Sequence, residues 1–315
     1  MLALLLAVLQ DEGLRQPALS PDGSRVAFSY LGDLWIAPAE GGVADRVTAT
    51  PDDEQKPCWS PDGDALAYSS DANENRDIYV VALADRAVRR LTYHTGVDDK
   101  PDWSADGRFI AFHSDRDKHV NLSVATQLFD LWCIGAGGGT AWRLTRRRGE
   151  NPAWAPDGAS IAFDYYSWGY GDGEHDVAVL RVEDGRAAEG AVPDVVASGR
   201  EDSRKPAWRG RTLHFAHEVR TAMNLLSVPP DGGALVQLTG FAADRAEWPA
   251  TSPGSSLIVF EHAFRLWAID TAAENAQPFA LDIRIREEDR PALGEARRRT
   301  IKSGARRPAN SRTFR

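Results

Sequence analysis

The side chains best equipped for chemistry in this 315-residue chain are a recurring serine, seven histidines and a few acidic clusters. Ser60 sits in "WSPDG" (residues 59–63), beside a proline, an aspartate and a glycine. As a nucleophile it would need a base within hydrogen-bond reach, and no histidine recurs beside it. The same segment returns along the chain, which suits a turn better than an active site. Proline presets φ at the first central position, aspartate tolerates the second, and glycine supplies the positive φ that leads into the next strand. The serine hydroxyl can cap such a turn locally. The predicted turn positions are Ser20, Asp22 and Gly23, then Ser60, Asp62 and Gly63, then Ser104, Asp106 and Gly107, and finally Asp157 and Gly158.

Other candidates also read as structure. "HFAHE" (214–218) has metal-site residue types, but on a strand His214 and His217 point to opposite faces. His214 further occupies a slot that alanine fills in four other repeats, so a packing or hydrogen-bonding role is expected. "DANENRDIY" (71–79) alternates Asp71, Asn73, Asn75 and Asp77 like a calcium loop, yet Arg76 stands where such a loop needs glycine and no distal glutamate follows. "GYGDGEHD" (169–176), with Asp172, Glu174 and Asp176, reads as a solvated acidic loop. Cys58 and Cys133 form no CxxC or disulfide pattern and are expected to be small buried apolar residues. There is no G-x-S-x-G elbow, Walker loop or H-E-x-x-H helix. The prediction is no catalytic set, no metal and no cofactor.

The elements that carry these residues follow from a repeat. "PALSPDG" begins at Pro17, "PCWSPDG" at Pro57, "PDWSADG" at Pro101 and "PAWAPDG" at Pro152, with worn copies "PAWRG" at Pro206 and "WPATSPG" at Trp248. The prolines recur every 40 to 54 residues, a propeller-blade period. After each glycine come paired apolar residues two apart: Val26/Phe28, Leu66/Tyr68, Ile110/Phe112, Ile161/Phe163, Leu213/Phe215 and Ile258/Phe260. Residues two apart share one face of a strand. Ala27, Ala67, Ala111 and Ala162 lie between them, as close sheet packing requires. A third strand follows in "DLWIAP", "DIYVVAL", "DLWCIG", "NLLSVPP" and "RLWAID", and a fourth ends at Thr48, Thr92, Thr145 and Thr239. Four short strands repeated six times predict an all-β fold, a six-bladed β-propeller of four-stranded antiparallel blades. The blades start near residues 17, 57, 101, 152, 206 and 248.

Residues 14–285 are assigned to the propeller, 1–13 to a signal or leader segment, and 286–315 to a basic, disordered linker or tail. The leader reading rests on "MLALLLAVLQ", which lacks a basic flank and a clean A-x-A site. It points to an exported, periplasmic or cell-envelope protein, with a cytoplasmic one as the alternative. No apolar run is long enough to span a membrane. Of the charged residues, nine Lys/Arg and one acid fall in 290–315, so the body keeps 28 basic and 45 acidic residues, a charge of −17. Nucleic acid is therefore not an expected partner, since phosphate binding needs cations.

Binding is expected in insertions that leave one face of the disc. Blade three adds 118–129, with His119, and blade four adds 166–175, with Tyr166, Trp168 and Tyr170. His94 and Asp98–Asp99, in the turn before blade three, are candidates for chemistry in the central channel.

The unit P-x-W-S-P-D-G-x-x-(I/L)-A-(F/Y), followed by D-(L/I)-(W/Y) and R-L-T, resembles the repeat of TolB and of tricorn-type proteases. Residues 19–42, 89–107 and 111–117 lean towards the first, six-bladed propeller of the tricorn family. That resemblance spans roughly residues 14–283. It implies a non-catalytic module that binds, gates or routes peptides within or beside an exported serine peptidase, and a homo-oligomer if it extends to assembly. It also implies a continuation into a second propeller, for which 285–309 resembles the lead-in. The "SPDG" expected next is replaced by "NSRTFR", as a truncated or frameshifted product would give. Two alternatives stand: a TolB-like envelope scaffold that makes protein contacts, and a hydrolase or lyase working in the channel.

Overall fold

The computed structural model describes residues 13–291, apart from 118–119, 122–125, 128, 147–148, 167–174 and 200. Six sheets follow the chain: residues 15–46, 54–90, 98–143, 150–197, 203–237 and 247–280, each with four consecutive antiparallel strands as its body. They form the six-bladed β-propeller that the repeat predicts. A two-stranded hairpin, Val120–Asn121 with Thr126–Gln127, is inserted between the second and third strands of blade three. No helix among the described residues is long and apolar enough to cross a membrane.

The repeat residues explain how each blade holds together. Ser20 Oγ donates to Asp22 Oδ1 at 2.6 Å, and it accepts from the Arg25 amide at 2.9 Å. Ser60 and Ser104 make the same pairs. In blade four, where Ala155 replaces the serine, Asp157 Oδ1 still accepts from the Ala159 amide. The turn glycines 23, 63, 107 and 158 have φ between 70° and 76°.

The third- and fourth-strand motifs form a latch. Thr48, Thr92, Thr145 and Thr239 accept through Oγ1 from the amides of Leu34, Ile78, Leu131 and Leu225, each at 2.9 Å. The aspartate opening the third strand meets the arginine two residues before the threonine in Asp33–Arg46 (2.6 Å), Asp77–Arg90 (2.7 Å) and Asp130–Arg143 (2.5 Å). Blade five lacks both charges. Asn224 Oδ1 accepts from Thr239 Oγ1, and Gln237 Nε2 donates to the Thr239 carbonyl.

Packing is between blades rather than within them. Six buried clusters fill the six seams, one per pair of neighbouring blades. Phe28, Phe112, Phe163, Phe215 and Phe260 are fully buried, and so are Ala27, Ala67, Ala111 and Ala162. Each phenylalanine contributes about 1.5–3 kcal/mol by leaving water. An isolated four-stranded blade would expose both faces, so the closed ring is the unit of stability.

The ring closes without mixing strands within a blade: residues 15–46 supply all four strands of blade one's body. The last segment of the ring, 278–285, divides in two. Phe279–Ala280 completes blade six, and Ile283–Ile285 crosses to pair in parallel with the outer strand Gly42–Arg46 of blade one. At the inner end of the same seam, the Gly13 amide donates to the Phe264 carbonyl and Ser252 Oγ to the Pro21 carbonyl, both at 2.8 Å.

Candidate functional site

The innermost strands, Arg15–Leu19, Glu54–Trp59, Asp98–Trp103, Glu150–Trp154, Ser203–Arg209 and Glu247–Ala250, surround the axis. Each contains a repeat proline, which cannot donate to the ladder. Each pairing slips at that point, as in a β-bulge. The residue before the proline takes a left-handed φ between 49° and 58° in all six blades: Gln16, Lys56, Lys100, Asn151, Lys205 and Trp248. Non-glycine residues pay about 1–2 kcal/mol for that conformation, and here it turns six side chains towards the axis as a collar.

Together with Pro17, Pro57, Pro206 and Pro249, this collar lines an axial cavity of about 470 Å³. The cavity has two ends. Beyond the collar lie Trp59, Trp103, Trp154 and Trp208 with the turn residues Pro21, Pro61, Ala105, Pro156 and Pro253, an apolar mouth. At the collar end the wall is charged. Lys56 Nζ lies 2.6 Å from Asp99 Oδ2, Lys205 pairs with Glu247, and Lys100 Nζ lies 3.8 Å from Asp102 Oδ1. Trp248 sits below two ammonium groups, Lys205 at 4.5 Å and Lys56 at 5.7 Å from its ring centre.

Burial and charge set the protonation states at this end. Burial alone would raise the Asp99 carboxyl, but the Lys56 ammonium and the Arg76 guanidinium together hold it well below the usual carboxylate range. Burial pushes the His113 imidazole down to about 3, so it is neutral; its Nδ1 accepts from the Asn151 amide at 3.1 Å. Burial likewise raises Asp102 and Asp164. Asp164 accepts from Asn151 Nδ2 at 2.7 Å and from the Lys205 amide at 2.5 Å, which ties blade four's collar residue to blade five's.

The sequence-predicted residues fall around this site unevenly. Tyr166 is half-buried and meets the His175 ring edge-on at 4.8 Å. His175 in turn contacts Asp202 at 3.2 Å. Trp168, Tyr170 and His119 lie outside the described residues, as do Asp172 and Glu174. His94 is exposed and outside the channel; its Nδ1 accepts from the Gly96 amide, and its carbonyl accepts from Asn75 Nδ2. Asp98 is fully buried on Arg116, 2.7 Å away, so of the three residues proposed for the channel only Asp99 touches the collar. His214 is buried with neither ring nitrogen bonded, and His217 shares a 2.8 Å hydrogen bond with Ser203. Cys133 is buried, whereas Cys58 lines the channel, 3.6 Å from Asp102 Oδ1. Among the described residues no three metal-binding side chains converge.

Sequence reasoning misses the collar, because the repeat motif starts at each proline and the residue before it varies as Gln, Lys, Lys, Asn, Lys, Trp.

Residues 11–129 match the family model for the tricorn protease N-terminal beta propeller domain. A tricorn protease homolog of Streptomyces coelicolor is 34% identical over 88 residues, 26% of this chain and 8% of that protein. The uncharacterized peptidase YuxL of Bacillus subtilis is 39% identical over 67 residues, 20% of this chain and 10% of that protein. The chain therefore spans a tenth or less of the curated relatives it matches. Among solved structures, the tricorn protease superposes with a TM-score of 0.68 at 16% identity, over 85% of this chain and 26% of that one. TolB from Acinetobacter baumannii gives 0.63 at 21%, over 76% and 57%. Residues 11–129 thus resemble the tricorn N-terminal propeller in sequence, and the fold resembles those of both the tricorn protease and TolB.

Proposed function

We propose that this propeller is a non-catalytic module that admits or holds a peptide segment in its axial channel, as the N-terminal propeller of a tricorn-like exported peptidase. The observation that carries the reading is the collar. Six bulged residues are turned to the axis at a backbone cost, and behind them runs a Trp/Pro/Ala-lined passage that an extended chain can fill with little polar loss. The match of residues 11–129 to a tricorn propeller supports the link to a peptidase. The apolar segment at residues 2–9 supports export to the periplasm or cell envelope. Partners of this kind are proteins or peptides.

The test plugs the channel. Ala207 lines it and is half-buried, so Ala207→Trp fills part of the passage. Titration of an N-acetylated Ala/Pro hexapeptide by calorimetry should show binding to the parent protein and at least a tenfold loss in the plugged variant, with melting temperature preserved. Equal binding by both proteins would place the peptide elsewhere and overturn the reading.

A further inference from the structure

The three collar lysines are not equivalent. Lys56 has a carboxylate at 2.6 Å, and Lys205 is paired with Glu247. Lys100 has nothing that close: Asp102 lies 3.8 Å away, and the ammonium's hydrogen bond to the Pro152 carbonyl is 3.4 Å long. Asp102 also serves other donors: its Oδ2 accepts from the Trp154 amide at 2.6 Å and its Oδ1 from Cys58 Sγ at 3.6 Å. Yet the Lys100 side chain is only 18% exposed, and it lines the channel. Its backbone is fixed, with the amide donating to Asp99 Oδ1 at 2.8 Å and Ser69 Oγ at 3.0 Å.

An ammonium largely out of water, with its nearest acceptors at 3.4 and 3.8 Å, is only partly compensated for its lost hydration and gains from a closer acceptor. Blade six stands across the channel from blade three and presents Trp248, Pro249 and Ala250. We infer that Lys100 is the anion-recognition point of the channel, and that its ligand is a carboxylate carried by the peptide, from a free C terminus or an acidic side chain. The donor set favours a monoanion over a phosphate. It offers one ammonium and no arginine fork, and Pro101 and Pro152 remove backbone donors nearby. The inference rests on the peptide-channel reading above.

Three forms of the N-acetylated Ala/Pro hexapeptide test it: the free acid, the C-terminal amide, and the amide with glutamate replacing its last residue. A charge-assisted hydrogen bond corresponds to roughly 10- to 150-fold in affinity, so at least one carboxylate-bearing form should bind about tenfold or more tighter than the plain amide. Which form does so identifies the carboxylate's source. Lys100→Met should erase the preference and Lys100→Arg should retain it; if the methionine variant does not fold, Lys100→Gln replaces it. If acid and amide bind equally and Ala207→Trp abolishes both, the channel reading stands and the Lys100 assignment falls. A preference that survives Lys100→Met also overturns the assignment. If no form binds, both readings fall.

Discussion

Ring closure at the seam of blades six and one makes a sharp steric prediction. Gly254, in the worn turn of blade six, lies against the turn of blade one. A Cβ added there would meet the carbonyl carbon and oxygen of Asp22 at 2.6 Å and its Cα at 2.8 Å. Ordinary carbon contacts begin near 3.4 Å, so backbone on one side of the seam must move by several tenths of an ångström. Overpacking of that kind costs about 1–3 kcal/mol. Reduced freedom of the unfolded chain offsets about 0.4–1 kcal/mol, since Gly254 needs no positive φ. Gly254→Ala should therefore destabilise by about 1–2 kcal/mol net, a fall of several degrees in melting temperature for a domain of this size. Gly240→Ala is the matched control: nothing lies within 4 Å of its added Cβ, and it too has no positive φ. It should be neutral or slightly stabilising. Calorimetric melts of the two variants beside the parent decide the matter. Equal melting temperatures for the two alanine variants would refute the idea that close turn-to-turn contact closes the ring.

Three further outcomes follow from the same geometry. His214 titrates at about 4 when folded because burial lowers it, so the unfolded chain takes up a proton first as pH falls below 6.5. Folding stability should drop between pH 6.5 and 4 by up to about 3 kcal/mol through this residue, and urea melts of His214→Ala should show a shallower acid limb. In the blade-five latch, Asn224→Asp buries a carboxylate without its arginine and should cost about 1–3 kcal/mol; adding Gln237→Arg should recover most of that loss, and denaturant midpoints of the four proteins in the cycle measure the coupling. Ser60→Ala removes the hydroxyl that joins Asp62 to the Ala65 amide; it should cost about 1 kcal/mol in urea melts and leave peptide binding in the channel unchanged.

What was legible in the sequence was whatever recurs. Serine, aspartate and glycine mark a turn because a local backbone problem has a local solution, and the Asp–Arg–Thr latch recurs in the first three blades, where it pins the third strand to the fourth. His94 shows the converse. Its residue type suggested chemistry, but Gly96 and Asn75 absorb its polar groups on the surface. Lys100 carried no such signal, since a lysine before a proline looks like any exposed cation.

The sequence by itself determined the period, the strand count and the six apolar pairs that fill the seams, because alternation and turn chemistry act over a few residues. Only the tertiary structure decided which residues meet at the axis, that Ile283–Ile285 crosses to blade one, and which ammonium lacks a close counter-charge. The partners of Lys56, Lys205 and Asp102 come from neighbouring blades, about 40 to 50 residues away. Charge pairing over that distance is set by how the ring brings the blades together, and no local pattern encodes it.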